Sequence, residues 1–238
     1  MTLTIRTPES IYRAQGLIQD GTFRGRWHFS FGDYYVERFV NFGTLRVFND
    51  DTLSPGAVWP LHSHREIEVV TYCAQGEFKH ADERGEGGIL EKGWVQHTTV
   101  GRGMWHSEIN NRTDVPMRFI QMWFLPSSLG LSPLVEQMKV EISQRTNRLL
   151  PLVSSIHPKA LPICSQARVF SSFLEGGNSL SMPLQANWGV YLYLLEGGPV
   201  IVNDQAISVY GAAMIRDQEA IEIAAQKDAE LLMVEVML

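Results

Sequence analysis

The chain has 238 residues, of which 45% are hydrophobic and 19% charged, an ordinary composition for a folded protein with a buried core. Its formal net charge is −6, so the basic surface of a typical nucleic-acid-binding protein is not expected. Two cysteines, Cys73 and Cys164, cannot form a disulfide framework and favour a reducing cytoplasm. Residues 1–8 lack the apolar core of a signal peptide, and no apolar run is long enough to cross a bilayer.

Short strands are predicted along most of the chain. The segments are rich in β-branched and aromatic residues and are separated by glycine, asparagine or aspartate, as in residues 43–48, 66–72, 117–124, 189–195 and 230–236. Many short strands at this spacing predict an all-β protein built as a sandwich or barrel.

One helix is predicted, from Pro133 to about Asn147. Ser132 and Pro133 suit a cap and a first helical position, and apolar residues follow at helical spacing, namely Leu134, Val135, Met138 and Ile142. We therefore expect an N-terminal domain over residues 1–130, a short connecting helix and linker over 131–150, and a C-terminal domain over 151–238.

A faint internal repeat supports two domains. The segment from Pro60 reads Pro-Leu-His-Ser-His, and the segment from Pro183 reads Pro-Leu-Gln-Ala-Asn; each leads into an apolar strand. A chance likeness is the alternative, because few positions match. If the repeat is real, the second copy has lost both imidazoles and carries Gln185 and Asn187 instead.

Two pairs of metal-ligating residue types share one spacing. His62 and His64 are two residues apart, as are His106 and Glu108. Residues two apart in a strand point to the same face, so two such pairs on facing strands would give three nitrogen ligands and one oxygen ligand. Such a set suits several transition metals, and open positions favour Fe(II). The alternative is that these histidines are surface residues of strands.

The same residues carry a resemblance to known families. Gly56, His62-x-His64, Glu68 and Gly76 resemble the first cupin motif, and residues 93–110 resemble the second, with Gly101 where a proline is usual. Residues 28–35, 45–51, 62–72 and 101–108 are more specifically similar to the pirin family.

The resemblance implies a bicupin of two jelly-roll β-barrels that carries its metal in the N-terminal barrel. The implied ligands are His62, His64, His106 and Glu108. Glu68 stands where many other cupins place a glutamate ligand, and we interpret it as a structural carboxylate. The C-terminal barrel is expected to be a degenerate cupin without metal, because no His-x-Glu pair follows Gly211.

The resemblance also implies two alternative functions. Some bacterial pirins cleave the flavonol quercetin with O₂; here Fe(II), or Mn, Ni, Cu, Co or Zn, would hold the substrate hydroxyl, and Glu108 would take its proton as catalytic base. Other pirins are non-catalytic, redox-responsive metal proteins that contact transcription factors or metabolic enzymes, so a protein partner is the alternative to a small aromatic substrate. Direct contact with nucleic acid or membrane is not expected.

The remaining candidates receive structural interpretations. We expect His28 to make a packing or polar contact, His80 to be solvated, and His157 to lie in the connector; His97 could line the metal cavity. Cys73 is predicted to be a buried, inert thiol. The aromatic run is expected to serve core and interdomain packing; it comprises Trp27, Phe29, Phe31, Tyr34 and Tyr35.

Overall fold

The computed structural model describes residues 2–83 and 87–238, and within them the chain forms 21 strands and one short helix. The strands up to the connector are β1 (Thr2–Arg6), β2 (Tyr12–Ile18), β3 (Gly21–Trp27), β4 (Leu45–Leu53), β5 (Val58–His64), β6 (Glu68–Gln75), β7 (Glu77–Asp82), β8 (Gly87–Glu91), β9 (Val95–Thr99), β10 (Met104–Asn110), β11 (Met117–Phe124) and β12 (Leu134–Met138). Two 3₁₀ turns lie at Pro8–Ser10 and Glu37–Phe39.

The helix α1 (Ile142–Arg145) precedes the remaining strands. These are β13 (Leu150–Ser154), β14 (Ala167–Leu174), β15 (Ser179–Pro183), β16 (Trp188–Gly197), β17 (Val200–Val202), β18 (Gln205–Ile207), β19 (Ala212–Arg216), β20 (Ala220–Ala225) and β21 (Ala229–Met237). The all-β bicupin prediction is therefore confirmed.

Each half of the molecule combines a large sheet with a four-stranded one. The N-terminal half has the order β12-β9-β6-β11-β4-β3-β2 in its large sheet and β5-β10-β7-β8 in its small one. The C-terminal half has β1-β19-β16-β21-β14-β13 and β15-β20-β17-β18. All pairings between these strands are antiparallel, and each half encloses its own apolar core.

The largest apolar core lies between the two halves, where the large sheets pack together. Phe48 and Tyr72 of the first half share it with Tyr191 and Val234 of the second. Because side chains alternate along a strand, each strand of the large N-terminal sheet has one face toward this interface and the other toward the interior of the N-terminal barrel. This alternation decides which polar residues can reach the metal motif.

The predicted helix over Pro133–Asn147 is wrong for most of its length. Residues Leu134–Met138 form β12, which pairs with β9 at the edge of the large N-terminal sheet, and the helix is limited to Ile142–Arg145. The open edge of β9 supplies backbone partners that outweigh the local helical spacing. The predicted domain bounds also differ from the strand pairing, since β1 extends the C-terminal sheet through β19 and β12 joins the N-terminal one.

In the described part of the chain, no helix is both long enough and apolar enough to cross a membrane.

Candidate metal centre

The two predicted ligand pairs lie on neighbouring strands of one sheet. His62 and His64 are on β5, His106 and Glu108 are on β10, and His106 stands directly opposite His62. The sequence placed the pairs on facing strands, and the structure places them side by side in the small sheet instead. The imidazoles of His62, His64 and His106 offer ligand atoms that all lie within 4.8 Å of one another.

Local backbone features bring β10 into this register. The chain enters β10 through Gly101 with φ +53°, and a side chain there would overlap the carbonyl oxygen of Leu131. The ladder between β5 and β10 shifts between His106 and Glu108. A β-bulge of this kind re-aims neighbouring side chains and is common beside functional sites.

Polar contacts occupy the Nδ1 atoms of two of the imidazoles and leave their Nε2 atoms available to a ligand. His62 Nδ1 lies 2.8 Å from the carbonyl oxygen of Pro60, and His106 Nδ1 lies 2.9 Å from His80 Nε2. The Nε2 atoms of His64 and His106 are buried and have no hydrogen-bond partner. Buried unpartnered nitrogens are costly unless a ligand satisfies them, and two of them within a cluster of three imidazoles fit a bound transition metal.

Burial keeps two of these imidazoles, those of His64 and His106, uncharged near neutral pH. Burial, followed by the neighbouring His106 and His62, lowers the pKa of His64 to about 4. Burial and the neighbouring His62 and His80 lower the pKa of His106 to about 3. Because neutral imidazole is the form that coordinates a metal, protons do not compete for these two nitrogens near neutral pH.

Glu108 lies in the same cavity but is held by a different contact. Its carboxylate is 3% exposed and accepts a hydrogen bond of 2.5 Å from Gln121 Nε2, while Trp123 Nε1 donates to Gln121 Oε1 at 2.8 Å. Among the described residues, the cluster within 4.8 Å contains only the three histidines. Gln121 was missed by the motif search, although a glutamine within the apolar strand Met117–Phe124 was a usable signal.

The cavity beside the imidazoles is small, at about 70 Å³. Its walls combine polar and aromatic side chains; they include Asn49, Asp51, Phe31, Trp59, Phe119 and Trp123. Burial, with the nearby Asp50 and Glu108 carboxylates, raises the pKa of Asp51 well above its usual range, despite the hydrogen bond from Trp27. Phe31 thus lines the site, whereas the sequence placed it in packing; Tyr35 of the same aromatic run is exposed.

His80 corrects a sequence prediction, because it is buried rather than solvated. It is 3% exposed and contacts His106 Nδ1, so it orients the His106 ring from behind. Burial lowers the pKa of His80, against the opposing effect of Glu108 and Asp82. This role could not be predicted from the sequence, because His80 is on β7 and only strand pairing brings it opposite Glu108.

We expect His80→Ala to weaken metal binding about 10- to 100-fold, because partners that orient a ligating histidine typically contribute that much. Competition against a colorimetric chelator measures the Kd. His157→Ala is the matched control, since His157 is exposed in the loop between β13 and β14 of the C-terminal half. Equal affinity in wild type and His80→Ala would contradict the orienting role.

Glu68 and His97 lie on the opposite face of the large sheet from the metal centre. The Glu68 carboxylate accepts backbone N–H groups from Cys164 at 2.8 Å and Ser165 at 2.7 Å, and His97 Nε2 lies 3.3 Å from it. This agrees with the structural interpretation of Glu68 and removes His97 from the metal cavity. Residue alternation along β6 and β9 explains both placements.

Glu68→Ala is expected to lower the free energy of unfolding by about 2–4 kcal/mol, since hydrogen bonds to buried charged groups contribute about 1.5–3 kcal/mol each. Metal content should not change. Glu66→Ala is the control, because its carboxylate accepts an N–H from Gly130 at the surface. Denaturant unfolding and metal analysis separate the outcomes, and metal loss in Glu68→Ala would make Glu68 a ligand.

The other candidates are placed as follows. His28 is buried and lies 2.6 Å from the Tyr191 hydroxyl across the interface, so the predicted polar contact is confirmed. Cys73 is buried, as predicted, and burial raises the pKa of its thiol to about 11. Gln185 and Asn187 lie exposed in the turn between β15 and β16 rather than on a strand matching β5.

Comparison with known proteins gives matches over both halves. The Pirin family model matches residues 11–124, and the model of the quercetinase C-terminal cupin domain matches residues 152–236. A pirin-like protein of Caulobacter vibrioides is 34% identical over 90% of this chain and 93% of its own. A quercetin 2,3-dioxygenase of Escherichia coli K12 is 29% identical over 87% of this chain and 89% of its own.

A solved structure also matches both halves of the chain. The bacterial pirin YhhW of Escherichia coli, in complex with nickel(II), superposes with a TM-score of 0.90 at 25% identity and covers 99% of both chains.

Proposed function

The chain belongs to the pirin family, and we propose that it is a metal-dependent dioxygenase that cleaves a flavonol such as quercetin with O₂. One observation carries the proposal, namely three imidazoles whose ligand atoms lie within 4.8 Å of one another, beside the buried carboxylate of Glu108. Imidazoles with a nearby carboxylate and open positions are typical of Fe(II) sites that react with oxygen. We propose Fe(II) as the metal, while Mn, Ni, Cu, Co and Zn suit the same donors.

His62, His64 and His106 would hold the metal through Nε2, and Glu108 would approach it as a fourth ligand or remain beside it. When bound, the metal would lower the pKa of a substrate hydroxyl. Glu108 would take the proton of that hydroxyl at its carboxylate. Gln121 would keep the carboxylate oriented, since its amide donates to Glu108 and is itself held by Trp123.

The size of the cavity sets a requirement for substrate entry. Sites for drug-sized ligands occupy about 300–1,000 Å³, and the present cavity has about 70 Å³. A three-ring flavonol therefore needs the aromatic wall to open. Trp123, whose ring lies 4.5 Å from that of His64, and Phe31, 5.3 Å from Trp123, are the side chains that would have to move.

The small size of the cavity favours a second candidate function, a non-catalytic metal-binding module that acts through a protein partner. A cavity of about 70 Å³ can hold a metal and its ligands without admitting a flavonol. The two functions share the metal ligands, so metal content alone does not separate them.

Oxygen uptake separates them. Purified protein reconstituted with Fe(II) is expected to carry about one metal per chain, to consume O₂ and to release carbon monoxide when quercetin is added. Apo-protein and quercetin alone are the controls. If the metal is bound but no flavonol is turned over, the dioxygenase proposal fails and the binding module takes its place.

A further inference from the structure

A cleft lined by arginines lies between the two halves of the molecule, on the face of the large N-terminal sheet opposite the metal cavity. It encloses about 540 Å³, and we call it the arginine cleft. The N-terminal half contributes four arginines and the C-terminal half contributes Glu196 and Tyr210; the arginines are Arg13, Arg24, Arg26 and Arg118. The proposed function uses none of these residues.

Strand register places the arginine side chains in two adjacent rows. In one row, Arg24 on β3 lies opposite Thr52 on β4, and Thr52 lies opposite Arg118 on β11. In the other row, Arg13 on β2 lies opposite Arg26 on β3. Like charges directly opposite one another destabilise an antiparallel pair, so the pairing of Arg13 with Arg26 needs an anion to offset it.

The carboxylates near the cleft offset only part of this repulsion, because Asp50, which lies opposite Arg26 on β4, is shared with other partners. Asp50 is engaged by Arg118 through two contacts of 2.7 and 2.8 Å and by the Tyr193 hydroxyl at 2.5 Å, which leaves Arg26 a contact of 3.5 Å. Glu196 is paired with Lys92 at 2.9 Å and lies 4.0 Å from Arg118.

Two guanidinium groups therefore remain without a counter-charge. Throughout residues 2–83 and 87–238, neither Arg13 nor Arg24 forms an ion pair or side-chain hydrogen bond. The Nε atom of Arg26 is buried and also lacks a partner. This concentration of positive charge occurs in a chain whose formal net charge is −6.

Part of the cleft is preorganised. The Arg26 guanidinium lies 3.9 Å from the centroid of the Tyr210 ring and the Arg118 guanidinium lies 5.0 Å from it, so cation–π contacts hold both groups. Arg118 is further fixed by its two contacts with Asp50. These fixed side chains shape the cleft wall, while Arg13 and Arg24 keep free guanidinium forks, which match the oxygens of a phosphate group and can bind them with paired hydrogen bonds.

We propose that the arginine cleft binds a small phosphorylated metabolite. The free guanidinium groups of Arg13 and Arg24 would receive the phosphate, with Arg26 beside them adding positive charge. The volume exceeds what a bare phosphate ion fills and lies in the range of small-molecule sites, so the organic part would occupy the rest. The site is separate from the metal centre, and its failure would leave the dioxygenase proposal untouched.

The test is calorimetric titration of the metal-loaded protein with ribose 5-phosphate and with inorganic phosphate, at constant ionic strength. Ribose 5-phosphate is expected to bind at about one per chain and tighter than phosphate. Equal affinities would keep the phosphate site and assign it to the free ion. Absence of saturable binding by both probes would overturn the proposal.

The double variant Arg13→Gln/Arg24→Gln tests the location. Both side chains are exposed, so the fold should tolerate the change. We expect the Kd for ribose 5-phosphate to rise about tenfold or more, with the metal content unchanged. Arg148→Gln, an exposed arginine outside the cleft, is the control. Binding that survives in the double variant would place the ligand elsewhere, including at the metal, and would overturn the assignment.

Thermal unfolding gives an independent readout. Without ligand, the double variant should melt at or above the wild-type Tm, because the repulsion between Arg13 and Arg26 is removed. It should also lose the rise in Tm that ribose 5-phosphate gives the wild type. A lower Tm without ligand would show that these arginines stabilise the fold by themselves and would contradict the proposal.

Discussion

His62→Ala is expected to reduce the bound metal from about one ion per chain to nearly none. The substitution leaves only two of the three imidazoles whose ligand atoms lie close together. His62 is half-exposed, so its loss creates little cavity and the fold should persist. Elemental analysis after reconstitution with Fe(II) measures the metal, and circular dichroism checks the fold.

Gln185→Ala is the comparison variant for this experiment. Gln185 stands where the repeat would put a ligand in the C-terminal half, but it lies in an exposed turn. Its replacement should leave the metal content at the wild-type value. Equal loss of metal in His62→Ala and Gln185→Ala would overturn the assignment of one site to the N-terminal barrel.

The ligand spacing was predictable because strand geometry is local. A period of two residues brings His62 and His64 to one face, and the same rule applies to His106 and Glu108. The pairing of β5 with β10 could not be predicted from the sequence, because it is set by contacts between distant parts of the chain. The two pairs therefore lie on adjacent, hydrogen-bonded strands of one sheet, and not on strands that face each other across the barrel.

The residues that orient His106 and Glu108 could not be predicted from motifs either, because strand pairing brings them to the site. His80 and Gln121 are on β7 and β11, and neither belongs to a ligand motif. Strand alternation also sends Glu68 to the interface, although a cupin pattern alone would make it a ligand. The helix predicted from Leu134, Val135 and Met138 failed because an open sheet edge was available to that segment.

Glu108→Gln is expected to lower flavonol turnover about 10²- to 10⁴-fold, the usual contribution of a general base, while metal is retained. The three imidazoles are unchanged by this substitution. A glutamine oxygen can still accept the hydrogen bond that Gln121 Nε2 donates to Glu108. The variant therefore preserves shape and orientation, and it removes the basicity of the carboxylate.

Steady-state oxygen uptake and metal content, measured on the same preparation, distinguish the roles of Glu108. Glu77→Gln is the matched control, because its carboxylate pairs with Arg112 away from the cavity. Loss of turnover with metal retained identifies a base. Loss of both together would make Glu108 chiefly a ligand, which would require its carboxylate to leave Gln121 and turn toward the imidazoles. Unchanged turnover would remove Glu108 from the reaction and leave the three histidines as the whole functional set.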